Sequence, residues 1–163
     1  MSSQPENFGD MVAADHVVLR QPDTGTSGEK AGLFMADLGT ESMAFAPMVK
    51  KTWPVCTQAL RDFGGATDTL KCLSSDNAPE LVRSAAEMVV PHASSTPYRS
   101  TSNGRVENLI GQVLMGSLAL LHQAGLPPTW WPQAAPYYCS TWNIVGKAGE
   151  DSTPFRRRHG VNF

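Results

Sequence analysis

The stretch MVAADHVVLR, residues 11–20, decides the fold, because it reads as a buried strand with one carboxylate, Asp15, in its middle. Apolar and β-branched residues fill most of its positions, as is typical of a strand inside a sheet. A charged side chain among such neighbours is costly unless it is paired or bound to a cation. The stretch therefore predicts both a core strand and a candidate site.

Outward from this strand, the sequence pattern predicts a sheet with a crossover connection. Residues 31–40 and 42–48 read as two further strands joined by a short turn that contains glycine. Residues 53–63 carry apolar side chains at helical spacing before Gly64–Gly65, and residues 69–73 suggest a fourth strand. Three consecutive strands, a helix and another strand predict a mixed sheet flanked by helices, which is an α/β fold.

The second half of the chain is predicted to be mainly helical. Pro79 suits the first turn of a helix that runs to about Val89, with Asp76 or Asn77 near its cap. HASSTPYRSTSNG, residues 92–104, is polar and is predicted to be an exposed and mobile loop.

The clearest helical pattern follows that loop. Apolar residues recur at helical spacing from Val106 to Leu121, and Gly125 with two prolines ends the helix. This boundary places Glu107 in the first turn. Residues 130–144 predict a last helix, and residues 146–160 read as a loop.

Composition limits the class of protein. The 163 residues fit one domain, with 41% hydrophobic and 17% charged residues, as in a globular chain. The first residues lack the pattern of a secretory signal, and no apolar run is long enough to span a bilayer, so we expect an intracellular protein without a membrane partner. The cysteines Cys56, Cys72 and Cys139 are odd in number and far apart, which predicts reduced thiols.

The net charge of −2 disfavours a nucleic-acid partner, because neutralising phosphates draws on many Lys and Arg side chains. The only dense basic cluster in the sequence is Arg156–Arg158. Charge alone therefore does not indicate DNA or RNA binding.

Three acids stand out by their positions: Asp15 inside a strand, Asp76 at the end of a strand and Glu107 at the start of a helix. Acids so placed can converge at one point of a sheet. Close carboxylates repel each other unless a cation lies between them, and hard oxygen ligands suit Mg²⁺. Structural alternatives remain: Glu107 as an acid that favours the helix dipole, Asp76 as a turn or capping residue, and Asp15 in a salt bridge to His16 or a distant Arg.

Two motifs in the right order carry a resemblance to a known family. SSDNAPEL, residues 74–81, resembles S-D-N-G-x-E-F, with Asp76 at the second catalytic acid. STPYRSTSNGRVEN, residues 95–108, resembles S-x-P-Y-x-P-x-x-N-G-x-x-E-R, with Glu107 at the glutamate. Both are signatures of the integrase catalytic core of retroviruses and retrotransposons, especially of the copia type.

The resemblance extends over almost the whole chain. FGDMVAADHVVL, residues 8–19, resembles the strand of the first acid, and residues 126–143 and 152–160 resemble the copia-type tail. It covers about residues 8–160, so residues 1–163 are expected to form one integrase core domain. The zinc-binding and DNA-binding modules that flank this core in the family have no match, so we expect a fragment of a polyprotein or a decayed copy.

This resemblance implies a ribonuclease H-like fold with a mixed five-stranded sheet, in which Asp15, Asp76 and Glu107 hold Mg²⁺ or Mn²⁺. It implies a polynucleotidyl transferase that trims the ends of an element's DNA and joins them to target DNA. The implied partners are both DNAs and further copies of the chain in a homo-oligomer. The implied location is the nucleus for integration, after a cytoplasmic particle.

A set of residues beside the acids is implied to shape the loop and the DNA contact: Asn77, Tyr98, Asn103, Gly104 and Arg105. For the first acid, Asp10 is a rival to Asp15, which is preferred because it lies among apolar residues. Asp37 matches a family aspartate that is usually not catalytic.

Some features depart from the family. From Val106 to Gly125 there is no Lys or Arg, although the family uses basic residues on this helix to bind DNA. Ala78 and Leu81 stand where a glycine and an aromatic residue are usual. A second hypothesis is therefore a catalytically silent, nucleic-acid-binding relic of an integrase. A third is a nuclease or ribonuclease H of the same fold, which the integrase-like loop of residues 95–107 disfavours.

Overall fold

The computed structural model describes residues 4–19, 24–66, 68–94 and 100–163, without the side chains of residues 100–103. Within these ranges the chain forms five strands, β1 Val12–Val18, β2 Ala31–Asp37, β3 Met43–Met48, β4 Leu73–Ser75 and β5 His92–Ser94. The α-helices in the same ranges are α1 Trp53–Gly64, α2 Pro79–Glu87, α3 Ser100–Ala124, α4 Trp131–Val145 and α5 Pro154–His159.

The strands form one sheet in the order β3-β2-β1-β4-β5. The pairs β1–β2 and β2–β3 are antiparallel, whereas β1–β4 and β4–β5 are parallel. The prediction of a mixed five-stranded sheet flanked by helices is confirmed. The stretch of residues 11–20 forms the central strand, so Asp15 lies in the middle of the sheet.

Helices cover both faces of this sheet, and each face has its own cluster of buried residues in the described part of the chain. Val12 and Ala14 of β1 pack toward α1 and α2, with Leu60 and Leu81 among their neighbours. Val17 belongs to the other cluster, which includes Val113 of α3 and Trp131 of α4. Because side chains alternate along a strand, Asp15 lies on the same face as Val17, toward α3 and α4.

The fourth strand differs from the prediction. It spans Leu73–Ser75 instead of residues 69–73, so the expected boundaries were wrong. The residues just before β4 are bonded to residues just before β1, outside the regular ladder. The Lys71 amide donates to the Gly9 carbonyl at 2.7 Å. The regular ladder begins only where β1 itself begins, opposite Val12. Tertiary pairing therefore sets this boundary, and local propensity does not.

The predicted loop of residues 92–104 was wrong at both ends. Residues His92–Ser94 form β5, the fifth strand, which pairs with β4 and which the sequence pattern had not identified. At the other end α3 begins at Ser100, so Glu107 lies in the second turn of the helix and not in the first. Residues 95–99 lie outside the described part of the chain.

Two helix boundaries also correct the sequence analysis. Residues Pro154–His159 of the predicted C-terminal loop form α5, where the Thr153 hydroxyl accepts from the Arg156 amide at 3.2 Å and Gly160 follows the helix with a φ of 73°. The signal was present in the sequence as threonine, proline and a later glycine. Helix α2 has Ala78 at its N-cap, instead of Asp76 or Asn77, and ends at Glu87.

Among the described residues, no individual helix has the length and apolar character needed to cross a bilayer. One pair of helices, Gly104–Ala124 and Pro128–Val145, meets these criteria jointly, but the two are bent by 120° relative to each other.

Candidate active site

Asp15 and Asp76 lie on neighbouring parallel strands. In the ladder between β1 and β4, Val12 is opposite Leu73 and Ala13 is opposite Ser74. Continuing this register by two residues aligns Asp15 with Asp76, which directly follows β4. Alternation also places both side chains on the face of the sheet that α3 covers.

The pKa of the Asp15 carboxyl depends on both of the other acids. Burial raises the pKa of the Asp15 carboxyl above its ordinary value, and the negative charges of Asp76 and Glu107 raise it further. The backbone N–H of His16 and the charge of Lys51 act in the opposite direction without cancelling the rise. The carboxyl of Asp15 therefore lies in the field of both other acids.

Glu107 has a weaker influence on Asp15 than Asp76 has. Its charge raises the Asp15 pKa less than that of Asp76 does, and its side chain is exposed. Among the described residues, no three His, Cys, Asp or Glu side chains stand close enough together to ligate one ion. The structure thus places Asp76 directly after the strand that neighbours β1, and the charges of Asp76 and Glu107 both act on Asp15.

The donor set fits a divalent cation. Within the described part of the chain, no Lys or Arg lies within ion-pair distance of any of the three acids. Unscreened carboxylates of like charge favour a cation between them, and Mg²⁺ commonly uses one or two carboxylates together with water.

The structure excludes or weakens two of the structural roles considered for the acids and supports the third. The alternation of β1 turns His16 to the opposite face, where its Nε2 lies 3.4 Å from the Cys56 sulfur, so a salt bridge of Asp15 to His16 is excluded. Glu107 lies beyond the first turn of α3, where a helix dipole acts weakly. Asp76 does have a turn role, because its Oδ1 accepts from the Ala78 amide at 3.2 Å.

The rival acid Asp10 has a different environment. Its carboxylate binds the Lys71 ammonium at 2.7 Å and accepts from the Asn7 amide at 2.9 Å, and these contacts hold its pKa well below the usual range. Asp37 is fully buried and accepts from the amides of Gly9 and Thr40 and from the Thr40 hydroxyl. Both acids therefore organise turns.

The residues predicted to contact DNA are placed in part. Asn77 is exposed in the connection between β4 and α2, next to Asp76. Gly104 and Arg105 line a groove of 430 Å³ beside α3, in which the Arg105 guanidinium is ion-paired with Glu41. Tyr98 and the side chain of Asn103 lie outside the described part of the structure.

The arginine cluster of the sequence is largely occupied by structural contacts. Arg157 donates to Glu41 at 2.7 Å and is also paired with Glu150. Arg158 contacts the Asp68 carboxylate at 3.0 Å and lies 3.6 Å from the centre of the Phe8 ring. Arg157 joins the C-terminal helix to the turn after β2 and Arg158 joins it to the end of α1, whereas the neighbouring Arg156 is exposed.

Sequence reasoning missed one contact beside the site. The Nε2 atom of His92, on β5, lies 2.8 Å from the Ser75 hydroxyl oxygen, which lies 2.8 Å from the Asp76 carbonyl oxygen. No local pattern links Ser75 to His92, because the two residues meet only through the parallel pairing of β4 and β5. The unrecognised fifth strand was the missing information.

No protein-family model matches the chain, and no curated protein matches it either. Many chains of solved structures are similar to this chain, among them two viral ones. The chain superimposes with a TM-score of 0.74 on a chain of the simian T-cell lymphotropic virus intasome in complex with the PP2A regulatory subunit B56 gamma, at 15% identity over 96% of this chain. It spans 59% of the length of that viral chain.

The second similar structure is the HTLV-2 integrase catalytic core domain in complex with magnesium, in a trimeric form. The TM-score is 0.69 and the identity 14%, over 96% of this chain and 100% of that one. At this level of identity the two comparisons establish the fold, which is the ribonuclease H-like fold of retroviral integrase cores. Both structures are retroviral, so the copia-type resemblance of the sequence stays a prediction.

Proposed function

We propose that the chain is the catalytic core of an integrase, a metal-dependent polynucleotidyl transferase that trims element DNA ends and joins them to target DNA. The observation that carries the proposal is the parallel pairing of β1 with β4, whose register, continued by two residues, aligns Asp15 with Asp76 within this fold. The HTLV-2 core with the same fold is a complex with magnesium, which supports the choice of Mg²⁺ or Mn²⁺.

In this proposal the three acids hold the cation from three elements of structure. Asp15 and Asp76 provide carboxylate oxygens from adjacent strands, and Glu107 provides a third carboxylate from α3. When bound, the divalent ion would help to activate the attacking hydroxyl and to stabilise the leaving oxygen of the phosphodiester. Burial at the sheet removes part of the water around Asp15, which strengthens its attraction for a cation.

DNA binding by this chain alone is expected to be weak. The net charge is −2, α3 carries no Lys or Arg between Val106 and Ala124, and Arg105 is ion-paired with Glu41. Phosphate contacts supply most non-specific affinity, so few free cations mean a high dissociation constant with a shallow salt dependence.

The proposed substrates are the element ends and the target DNA. The proposed place of action of the chain is the nucleus, after a stage in a cytoplasmic particle. The similar viral structures are an intasome and a trimer, which supports a homo-oligomer. The origin proposed for the chain is a copia-type retrotransposon polyprotein.

The test combines metal binding with DNA joining. Mn²⁺ binding is measured by calorimetry, and strand transfer is measured on a short duplex with a recessed 3′ end. The matched control for Asp76→Asn is Asp62→Asn, an exposed acid of α1 whose Oδ1 accepts from Gln58. We expect joining by the wild type and by Asp62→Asn, and none by Asp76→Asn.

The outcomes separate the rival functions. Metal binding and duplex binding without any cutting or joining would point to the silent relic. Cutting of an RNA–DNA hybrid without strand transfer would point to a ribonuclease H. Equal joining by wild type and Asp76→Asn would refute the proposed site.

A further inference from the structure

Asp76 directly follows the paired residues of β4 in the described part of the sheet. Strand β4 has three residues, and its pairing with β5 ends at Ser75 opposite Ser94. The described backbone bonds give no ladder partner to the Asp76 carbonyl. Among the described residues, the restraint on the Asp76 peptide is therefore a side-chain bond to this carbonyl.

Two polar side chains supply such a restraint from the opposite face of the sheet. Leu73 packs in the cluster under α1 and α2, and Ser75 shares its face by alternation. His92 is opposite Leu73 in the parallel ladder, so its ring and the Ser75 hydroxyl are diagonal neighbours on that face. Asp76 alternates to the other face, so His92 contacts the site only through Ser75.

The hydrogen-bond directions follow from the number of available protons. The Ser75 hydroxyl has one proton, which it donates to the Asp76 carbonyl at 2.8 Å. The same oxygen lies 2.8 Å from His92 Nε2, so it accepts there, and Nε2 must carry a proton. The order is therefore His92 Nε2–H to the Ser75 oxygen, and the Ser75 hydroxyl to the Asp76 carbonyl.

We propose that His92 and Ser75 are positioning residues, which form a relay that fixes the Asp76 peptide and so holds its carboxylate beside Asp15. The relay rests on the proposed function in one respect, namely that Asp76 is a metal ligand. The outer partners of metal ligands typically change metal affinity or activity by about 10- to 100-fold when removed. The relay is expected to have an effect of this size although neither residue touches the metal.

Four variants test the relay. Ser75→Ala removes the hydroxyl, and Ser75→Thr restores it. His92→Leu removes the ring donor, and His92→Gln restores an N–H at a similar distance from the backbone. The matched control is Ser84→Ala on α2, which also loses a buried hydroxyl bonded to backbone carbonyls, at 3.0 Å to Trp53 and 2.7 Å to Glu80.

Two readouts are used, and one of them is independent of activity and metal. Mn²⁺ affinity is measured by calorimetry, where Ser75→Ala and His92→Leu should weaken binding about 10-fold or more, with recovery in Ser75→Thr and His92→Gln. Nitrogen-15 NMR in alkaline, metal-free buffer should show the His92 proton on Nε2 in the wild type. Ser75→Ala should shift the His92 ring signals and the Asp76 carbonyl carbon, and Ser84→Ala should shift neither.

The results decide separately on the relay and on the proposed function. If the wild type fails to bind Mn²⁺, the metal site is refuted and the NMR arm alone decides on the relay. A His92 proton on Nδ1, or an Asp76 carbonyl unmoved by Ser75→Ala, would overturn the relay whatever the activity. Equal Mn²⁺ affinity of Ser75→Ala and Ser84→Ala would overturn its positioning role.

Discussion

The acids around Asp15 and the arginines of α5 are both dense groups of charge, but the structure treats them in opposite ways. Arg157 and Arg158 each contact carboxylates, and Arg158 also donates to the carbonyls of Phe63 and Gly64. Among the described residues, by contrast, Asp15 and Asp76 have no cation at ion-pair distance.

This difference shows which charges are available for function. A charge that is matched inside the fold contributes to stability, whereas unmatched charges of one sign mark a place for a ligand of the other sign. In the sequence, the arginine run was the only dense basic cluster, and charge alone did not indicate a nucleic-acid partner. The structure shows that Arg157 and Arg158 are matched inside the fold, whereas Asp15 and Asp76 are not matched among the described residues.

The largest expected effects concern the acids. Asp76→Asn should weaken Mn²⁺ binding by more than about 100-fold, beyond the range for an outer partner, and should abolish strand transfer. Glu107→Gln should abolish strand transfer as well, but should weaken Mn²⁺ binding by less than about 10-fold, because the charge of Glu107 acts on Asp15 less than that of Asp76 does. Calorimetry and a joining assay separate the two effects, with circular dichroism to confirm folding.

A different order of these two effects on Mn²⁺ affinity would change which acids are assigned as metal ligands. If Glu107→Gln lost metal affinity as strongly as Asp76→Asn, Glu107 would contribute as much as Asp76 to metal binding in solution. Normal strand transfer by either variant would remove that acid from the proposed mechanism.

Replacing the matched arginine of α5 should lower the stability of the fold. Arg158→Ala removes an ion pair, two carbonyl bonds and a contact with the Phe8 ring at 3.6 Å. We expect a loss of about 2 to 4 kcal/mol in the free energy of unfolding, measured with urea. The matched control is Arg156→Ala at the exposed neighbour, which should change stability by less than about 0.5 kcal/mol. Equal losses would mean that the paired arginine has no special role.

Metal binding by the acids should raise the stability of the folded chain. A ligand that binds only the folded state at 100 times its dissociation constant raises the free energy of unfolding by about 2.7 kcal/mol. We therefore expect a higher Tm for the wild type in Mn²⁺, no rise for Asp76→Asn and a full rise for Arg156→Ala. A rise in Asp76→Asn equal to that of the wild type would place the metal elsewhere.

The sequence predicted the parts of this fold that depend on local pattern. The apolar content of residues 11–20 and 31–48 identified the three long strands, and helical spacing identified α1 and the part of α3 from Val106 onward. The motif around Asp76 and Glu107 gave the site hypothesis, and in the structure the charges of both acids act on Asp15, that of Asp76 more than that of Glu107.

What could not be predicted depends on contacts between distant segments. Strand β5 has three residues, His92–Ser94, without apolar alternation, and only its pairing with β4 makes it a strand. The start of α3 lies in a polar sequence that reads locally as a loop. The pairing of Glu41 with Arg105 and Arg157 joins residues far apart in the chain, and no spacing rule anticipates it.

The smallest expected effect is a pH dependence of opposite sign in the two regions. Burial acts to raise the pKa of the Glu41 carboxyl, but the bond from Arg157 and the charge of Arg105 lower it overall. A pKa that is lower in the folded state gives stability above the ordinary glutamate pKa, which is lost as the pH falls through the folded value. Glu41→Gln should therefore lower the Tm at neutral pH, and this deficit should shrink in acid.

Asp15 should show the reverse in metal-free protein. Its pKa is raised by burial and by Asp76 and Glu107, so the folded state holds the proton more tightly than the unfolded chain does. Ionised Asp15 then destabilises the fold at neutral pH, and this effect disappears as the pH falls below the ordinary aspartate pKa. Asp15→Asn should raise the Tm at neutral pH and leave it unchanged in acid, as measured by thermal unfolding with a chelator present. If both variants shifted the Tm in the same direction at neutral pH, the contrast between matched and unmatched charge would be wrong.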